Sequence, residues 1–417
     1  MEEKVRALRK TLRRVYTHNP IYREKMDQVG IKPNDIKSLK DLSKLPLTTK
    51  KDFFKDYPEG FYCVDKKDIM VYHSSSGTTG KPLIVGLTKK DMKIRDEMCK
   101  ESTEILGITK DDIVQICLGF GMFTGGLTFY EGLKKFGCQI IPAATVSTEM
   151  QLFYMQNLKP TVLVSSPSQV MHIYEVSKKL GIDVKKLPIK NIRVGSELLT
   201  EAMRKKIKKA YGEDVVITQD YGMTETLGPG IGMECVKEAG LHLSDYYTYE
   251  LVDPKTKEPT DKEIGELVVT SLYNEAFPII RYCTNDIVKI TKEECACGRT
   301  SPRIETFIGR ADDMIKIKGV KVFLSQVEDF LMKYDFLNHQ YEIILTNENY
   351  RDKITINAEY FIDLKKEELK VLETRKKNIE KAFKSEFGIF ANVNLLTTNS
   401  IEIKPGKVKR VKDLREL

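Results

Sequence analysis

No long apolar run occurs in this sequence. Its 417 residues are 41% hydrophobic, yet no stretch approaches the roughly 20 consecutive apolar residues that a membrane-spanning helix needs. The opening residues, MEEKVRALRKTLRRVY, lack the uninterrupted apolar segment of a signal peptide. Val5, Leu8, Leu12 and Val15 recur at helical spacing instead, which predicts an amphipathic helix. A dominant charge sign is missing too. Lys and Arg total 68 against 60 Asp and Glu, a net charge of +8, and the two signs are interspersed. Basic stretches such as RKKIKK (204–209) carry no interleaved aromatics, so no stacking platform for nucleic acid is expected. The balance still permits an anionic small-molecule ligand. The eight cysteines lack the spacing of a small secreted disulfide framework, which points to a reducing cytoplasm. Low-complexity tracts and internal repeats are absent as well.

What is present is enough chain for a large core and for more than one domain. From Asp111 to Tyr221, short apolar segments alternate with amphipathic ones: DIVQICLG, GLTFYEGLKKFG, QIIPAA, EMQLFYMQNLK, TVLVSS, QVMHIYEVSKKLG, IRVGSE, TEAMRKKIKKAYG and DVVITQDYG. That alternation predicts a parallel α/β sheet with crossover helices. Ligands of such sheets sit beyond the carboxyl ends of the strands, where GFGMFTGG (119–126), VGSE (194–197) and DYGMTE (220–225) fall. A strand-rich region follows, and the last hundred or so residues read as a small α+β domain. The expected domains are residues 1–309 and 310–417.

The stretch HSSSGTTGKP (73–82) gathers five hydroxyl residues, two glycines and a lysine between two strand-like runs. Hydroxyls and backbone amides beside a lysine suit a phosphate chain, whose oxygens only accept hydrogen bonds. The stretch departs from a Walker A loop, which has four residues between its glycines and Ser or Thr after the lysine. A plain polar hairpin turn is the alternative on composition.

Taken together, NPIYREKM, SSSGTTGKP, GFGMFTGG, DYGMTETLGPG, ECVKEAGLHLSDYY, EAFPIIRY, CACGRT, GRADDMIKIKGVKVFLSQVE and GKVKRV resemble the phenylacetate–CoA ligase family of the adenylate-forming superfamily. The resemblance runs through nearly the whole chain. It implies a large N-terminal domain built on parallel α/β sheets with a β-rich subregion, plus a small mobile α+β lid. It also implies a reaction in which ATP activates an aromatic acid as its adenylate and coenzyme A then takes the acyl group, releasing AMP and pyrophosphate. The chemistry is sound: a carboxylate resists attack at carbon, and joining it to AMP creates a mixed anhydride with a good leaving group. Catalysis of that displacement consists of positioning and charge neutralisation.

Residue by residue, the resemblance assigns Ser75, Ser76, Gly77, Thr78, Thr79, Gly80 and Lys81 to the phosphate loop. Thr224 would bond the α-phosphate and Glu225 would ligate Mg²⁺, a hard cation suited to carboxylate and phosphate oxygens. On its own, MTE also reads as a helix N-cap followed by an acid. Tyr221 would stack on adenine, with Gly195, Ser196, Glu197, Asp220 and Gly222 around the base. Asp286 would take the ribose hydroxyls, with Arg310 beside it. Cys283 and Asn285 stand where the family has arginines, which changes the charge around Asp286. Lys407 would reach the α-phosphate and carboxylate during adenylation, Lys409 is its neighbour, and Asp312 falls at the superfamily's hinge. Phe120, Phe123, Gly125 and Gly126 would shape an aryl slot, or serve only as packing near a tight turn.

Cys235, His242, Cys295 and Cys297 supply three thiolates and one imidazole, a set that satisfies a closed tetrahedral zinc. Such a site would stabilise and not catalyse. Four unmetallated side chains are the alternative. The implied partners are a small carboxylic acid and CoA, with a homodimer as the assembly and neither nucleic acid nor membrane. Two other functions fit the same ATP site. One branch of the resembled family adenylylates a deazaflavin coenzyme's hydroxyl without CoA, and a nucleotide-binding adaptor would use the site without catalysis.

Overall fold

The computed structural model describes residues 2–75, 81–317, 320–348, 351–361, 369–401 and 410–415. The chain divides into two compact units, Met1–Leu199 with Ala210–Phe307, and Thr200–Lys209 with Ile308–Leu417. Along the sequence, the break near the expected domain boundary falls between Phe307 and Ile308. Thr200–Lys209 groups with the second unit, where the Lys206 ammonium donates to the carbonyls of Tyr334 at 2.9 Å and Leu337 at 2.8 Å.

The first unit opens with helices α1 (Glu2–His18) and α2 (Pro20–Gln28). Leu8, Leu12 and Val15 of α1 are buried, as their spacing predicts, while Thr11 Oγ1 donates to the Leu272 carbonyl at 2.7 Å. An antiparallel hairpin follows, β1 (Ile69–Ser74) and β2 (Ile84–Thr88), with the glycine-rich stretch as its connection. Thr88 then caps α3 (Lys89–Ile105) through reciprocal bonds with Asp91, a capping box. The sequence pattern alone does not single out this helix.

The α/β alternation appears where expected: β3 (Ile113–Ile116), α4 (Thr124–Phe136), β4 (Gln139–Ile141), α5 (Thr148–Leu158), β5 (Val162–Ser165), α6 (Pro167–Lys179), β6 (Asn191–Val194), α7 (Glu201–Tyr211) and β7 (Val216–Met223). Local chemistry sets the helix limits. Ser147 and Ser166 accept amide hydrogen bonds at the starts of α5 and α6, and Gly137 ends α4 at φ +105°.

Antiparallel strands continue the same sheet: β8 (Gly228–Glu234), β9 (Leu241–Leu243), β10 (Tyr247–Val252), β11 (Ile264–Ser271), β12 (Tyr282–Thr291) and β13 (Arg303–Arg310). The result is an eleven-stranded mixed sheet in the order β10-β11-β12-β13-β9-β8-β7-β6-β5-β3-β4. Strand β7 is its turning point: Val216–Gln219 pair in parallel with β6, and Asp220–Met223 pair antiparallel with β8.

In the second unit, β14 (Met314–Ile317) and β15 (Val320–Phe323) form a hairpin that leads into α8 (Leu324–Met332). Strands β16 (Leu337–Glu348) and β17 (Arg351–Tyr360) pair antiparallel. After α9 (Leu369–Phe387), β18 (Ala391–Thr397) adds in parallel to β17, and β19 (Val411–Asp413) adds in parallel to β16. Phe330 of α8 meets Phe383 of α9 edge to face at 5.4 Å. This is the α+β arrangement expected for the C-terminal region. Among the described residues, no helix is long and apolar enough to cross a membrane.

Candidate active site

The turning point of the sheet collects the expected nucleotide residues. At the end of β7 the Tyr221 hydroxyl donates to Oδ2 of Asp286 on β12 at 2.6 Å, and the Tyr221 ring meets Phe307 edge to face at 5.0 Å. Asp286 is 7% exposed, and its amide donates to Thr284 Oγ1 at 3.1 Å. The expected base-stacking ring and ribose acceptor are therefore joined. Phe307, which no sequence pattern marks, adds a second aromatic face to this corner.

Thr224–Thr226 forms a single 3₁₀ turn, tied by the Met223 amide donating to Thr226 Oγ1 at 3.0 Å. Glu225 is 5% exposed, and its Oε1 accepts from the Tyr282 hydroxyl at 3.4 Å. A buried carboxylate needs charge or hydrogen-bond compensation, and a cation bound there would supply it. Gly222 has a packing reason: a Cβ at that position would lie 2.1 Å from the Gly228 carbonyl oxygen of the paired strand.

Some expected roles change with the geometry. Asp220 does not turn its carboxylate toward a base. Both its oxygens are taken by the buried Arg193 of β6, one at 2.7 Å from Nη2 and the other through Nε, and the Arg193 guanidinium lies over Phe129 at 4.5 Å. This pair is enclosed beneath the ends of two neighbouring strands, so Asp220 braces the strand ends that carry the site. Gly195 leaves β6 beside it, its amide donating to the Ser165 carbonyl at 3.1 Å. Ser196 takes φ +70°, and Glu197 accepts from the Ser168 hydroxyl at 2.8 Å and the Ser168 amide at 3.2 Å. The Glu197 carboxylate therefore tethers its loop to the start of α6.

At the hairpin, Ser75 holds the neck of the loop expected to meet phosphate. Its amide donates to the Leu83 carbonyl at 2.8 Å and its hydroxyl oxygen accepts from the Leu83 amide at 2.9 Å. Ser76, Gly77, Thr78, Thr79 and Gly80 lie outside the described residues. The Lys81 ammonium sits over the Tyr57 ring at 3.9 Å, while the Tyr57 hydroxyl donates to the Pro82 carbonyl at 2.8 Å. Tyr57 thus orders the exit of the loop, a role without a signal in the sequence.

Of the expected acyl-side residues, Phe120 packs edge to face on Tyr130 at 5.8 Å at the margin of the core, whereas Phe123 is 48% exposed and precedes α4. Gly126 is dictated by packing, since a Cβ there would lie 2.3 Å from the Gly119 carbonyl oxygen, but Gly125 would meet Leu118 only at an ordinary 3.6 Å. Cys283 is buried with Val252 and Val268, away from solvent. The neighbouring Glu266 carboxylate is paired with Lys257. Lys257 lies in the connection between β10 and β11, so the buried Glu266 carboxylate beside Cys283 takes its counter-charge from there.

In the second unit the Arg310 guanidinium is bidentate on Asp312, at 3.0 Å and 3.1 Å. Lys407 and Lys409 lie outside the described residues.

The four expected zinc ligands converge. The donor atoms of Cys235, His242, Cys295 and Cys297 lie within 4.8 Å of one another. The sulfurs of Cys235 and Cys295 are 3.8 Å apart, and Cys297 Sγ faces His242 Nε2 at 3.5 Å. His242 Nδ1 points the other way, to Ser301 Oγ at 3.0 Å. That polarity suits a metal on Nε2, because the second ring nitrogen of a metal-bound histidine normally donates to an orienting oxygen. Burial, with help from Arg303 and Arg299, pulls the imidazole down to about 4, keeping it in the neutral form that ligates.

Comparison with known proteins agrees with this architecture. The AMP-binding enzyme family matches residues 4–274, and the AMP-binding enzyme C-terminal domain matches residues 319–415. The chain is 35% identical to the phenylacetate-coenzyme A ligase of Thermus thermophilus, with 99% of this chain and 97% of that one covered. It is 33% identical to the phenylacetate-coenzyme A ligase of Escherichia coli, with 98% and 94% covered. Among solved structures, a 2-hydroxyisobutyryl-CoA ligase in its postadenylation state superposes with a TM-score of 0.91 at 22% identity, covering 99% of this chain and 89% of that one, which establishes the shared fold. With its full length matched at this level of identity, the chain belongs to the phenylacetate–CoA ligase family of AMP-binding enzymes.

Proposed function

We propose that this protein activates an aromatic, phenylacetate-like carboxylic acid with ATP and passes the acyl group from AMP to coenzyme A. The observation that carries this reading is the pair of Tyr221, on the strand where the sheet changes sense, with Asp286 of β12, and Glu225 shortly beyond Tyr221. Ligand sites of α/β sheets lie at and beyond the carboxyl ends of the strands, where Tyr221 and Glu225 stand at the end of β7. Tyr221 and Phe307 would flank adenine, and Asp286 would take the ribose hydroxyls. Thr224 and Glu225 would meet the α-phosphate and its Mg²⁺, with Lys81 and the phosphate-loop hydroxyls on the departing pyrophosphate. Mg²⁺ would neutralise phosphate charge, and Lys407 would do so beside the carboxylate. Phe120, Phe123 and Gly125 would border the acid, and Asp312 would serve as hinge between the two half-reactions. Zn²⁺ on Cys235, His242, Cys295 and Cys297 would be structural, because four protein ligands leave no open position. A homodimer in the cytoplasm is the assembly we propose, to be checked by sedimentation and fractionation.

Incubation of the purified protein with ATP, Mg²⁺, CoA and a panel of acids tests the reaction. AMP and a thioester are expected together. Transfer of AMP onto a hydroxyl acceptor such as a deazaflavin, with release of pyrophosphate and no thioester, would move the function to adenylyl transfer, and absence of turnover would leave only nucleotide binding.

A further inference from the structure

His73 is the first residue of the hydroxyl-rich stretch, and it is completely buried. Its ring lies between two groups of fixed polarity. Nε2 is 3.3 Å from Nη1 of Arg95 on α3, and Nδ1 is 3.3 Å from the Met122 carbonyl oxygen. A guanidinium can only donate and a carbonyl can only accept. The ring is therefore neutral, with Nε2 accepting from Arg95 and Nδ1–H donating to Met122. Burial and the Arg95 charge both lower the His73 pKa, against the pull of Met122, and so favour that neutral form.

Arg95 is itself enclosed, 2% exposed, with Asp96 at 3.7 Å and its Nε without a hydrogen-bond partner among the described residues. Lys135 of α4 closes on the same Asp96. The Met122 carbonyl receives a second donor from β1, the Ser74 amide at 2.8 Å. Met122 lies in the Gly119–Phe123 segment that leads into α4, the side proposed for the acid. Its side chain is 49% exposed, so the segment is held here by its backbone and not by burial.

We infer that His73 is a positioning residue of acid activation, clamping the acyl-side segment Gly119–Phe123 to the strand that enters the phosphate loop and thereby setting the acid's carboxylate against the triphosphate. The inference rests on the assignment of those two regions in the proposed function. Misplacement of reacting groups is felt in the chemical step more than in binding.

Two near-isosteric substitutions separate this role from simple packing. In H73N the amide nitrogen can occupy the Nδ1 position and keep the bond to Met122. In H73Q the amide oxygen can occupy the Nε2 position and keep the acceptor for Arg95, while the link to Met122 is lost. With full-length enzyme and an accepted acid, H73Q should lower kcat of acid-dependent pyrophosphate exchange about tenfold, with both KM values within about twofold of wild type. H73N should retain kcat within about threefold of wild type. Equal behaviour of the two variants, or a loss confined to KM, would overturn the role. If either variant fails to fold, ¹⁵N-histidine NMR of the wild-type protein, with the His73 ring assigned through its own backbone correlations, decides: a neutral ring protonated at Nδ1 is expected for His73, and protonation at Nε2 or at both nitrogens overturns the clamp. Wild-type protein that supports no exchange with any acid would instead sink the proposed activity, whatever the tautomer.

Discussion

Tyr221 and Asp286, 65 positions apart, share a hydrogen bond of 2.6 Å between the phenol and the carboxylate. The contact joins the strand that ends the parallel half of the sheet to a strand of the antiparallel half. It sets the aromatic ring and the acidic acceptor in one orientation before any nucleotide arrives. Tyr221→Phe keeps the ring and removes that restraint. The expected outcome is a rise in the ATP KM of about three- to tenfold, the worth of one ordinary hydrogen bond, with little change in kcat. Calorimetric titration with AMP should give the same loss. An unchanged affinity would show that Asp286 is oriented by its other neighbours.

Lys407→Ala should lower acid-dependent pyrophosphate exchange by about 10²–10³-fold, the cost of removing one preorganised donor from developing charge. ATP binding should stay within a few-fold, and thioester formation from a supplied acyl-adenylate should survive. Loss of exchange in Lys409→Ala with normal exchange in Lys407→Ala would transfer the role to Lys409.

Protein purified without chelators should carry one zinc per chain by elemental analysis. The ligands come from two stretches 60 positions apart, as the Cys235–Cys295 contact measures, so an unfolded chain cannot preform the site and the coordination energy adds to folding. Cys297→Ser should lower zinc content and melting temperature together, while the folded fraction keeps its ATP affinity. Four freely titratable side chains and negligible zinc would leave the cluster as packing alone.

Acid sensitivity should depend on Asp52. Burial pushes its carboxyl up, but the Lys25 ammonium at 2.8 Å and the Thr49 amide at 2.8 Å outweigh that and hold it below the ordinary carboxylate range. Because the folded-state value is depressed, the unfolded chain takes up the proton first as pH falls. The stabilisation is therefore complete at neutral pH and is lost below about pH 4. Asp52→Asn should cost about 1–3 kcal/mol at pH 7 and should show a shallower decline than wild type under acid. Denaturant unfolding across a pH series measures both, and parallel pH curves would remove Asp52 from the account.

What the sequence determined alone was local and periodic. The strand–helix alternation from Asp111 to Tyr221 and the buried stripe of α1 depend on residues a few positions apart, so their signals survive without a structure. The resemblance likewise marks Tyr221, Thr224, Glu225 and Asp286. Only the tertiary structure decided what each polar group faces. Asp220 lies one residue before Tyr221, yet its carboxylate is committed to Arg193, 27 positions away, because successive residues of a strand point to opposite faces. Ser75 is claimed by Leu83 across the hairpin neck, and Glu197 by Ser168. Tyr57, Tyr282, Phe307 and Ser301 enter the two sites through contacts from remote segments, which no spacing in the sequence encodes. His73 stands beside the phosphate-loop serines, but its ring state follows from an arginine on α3 and a carbonyl before α4. Its neighbours in sequence supply neither group, so its tautomer was settled by packing.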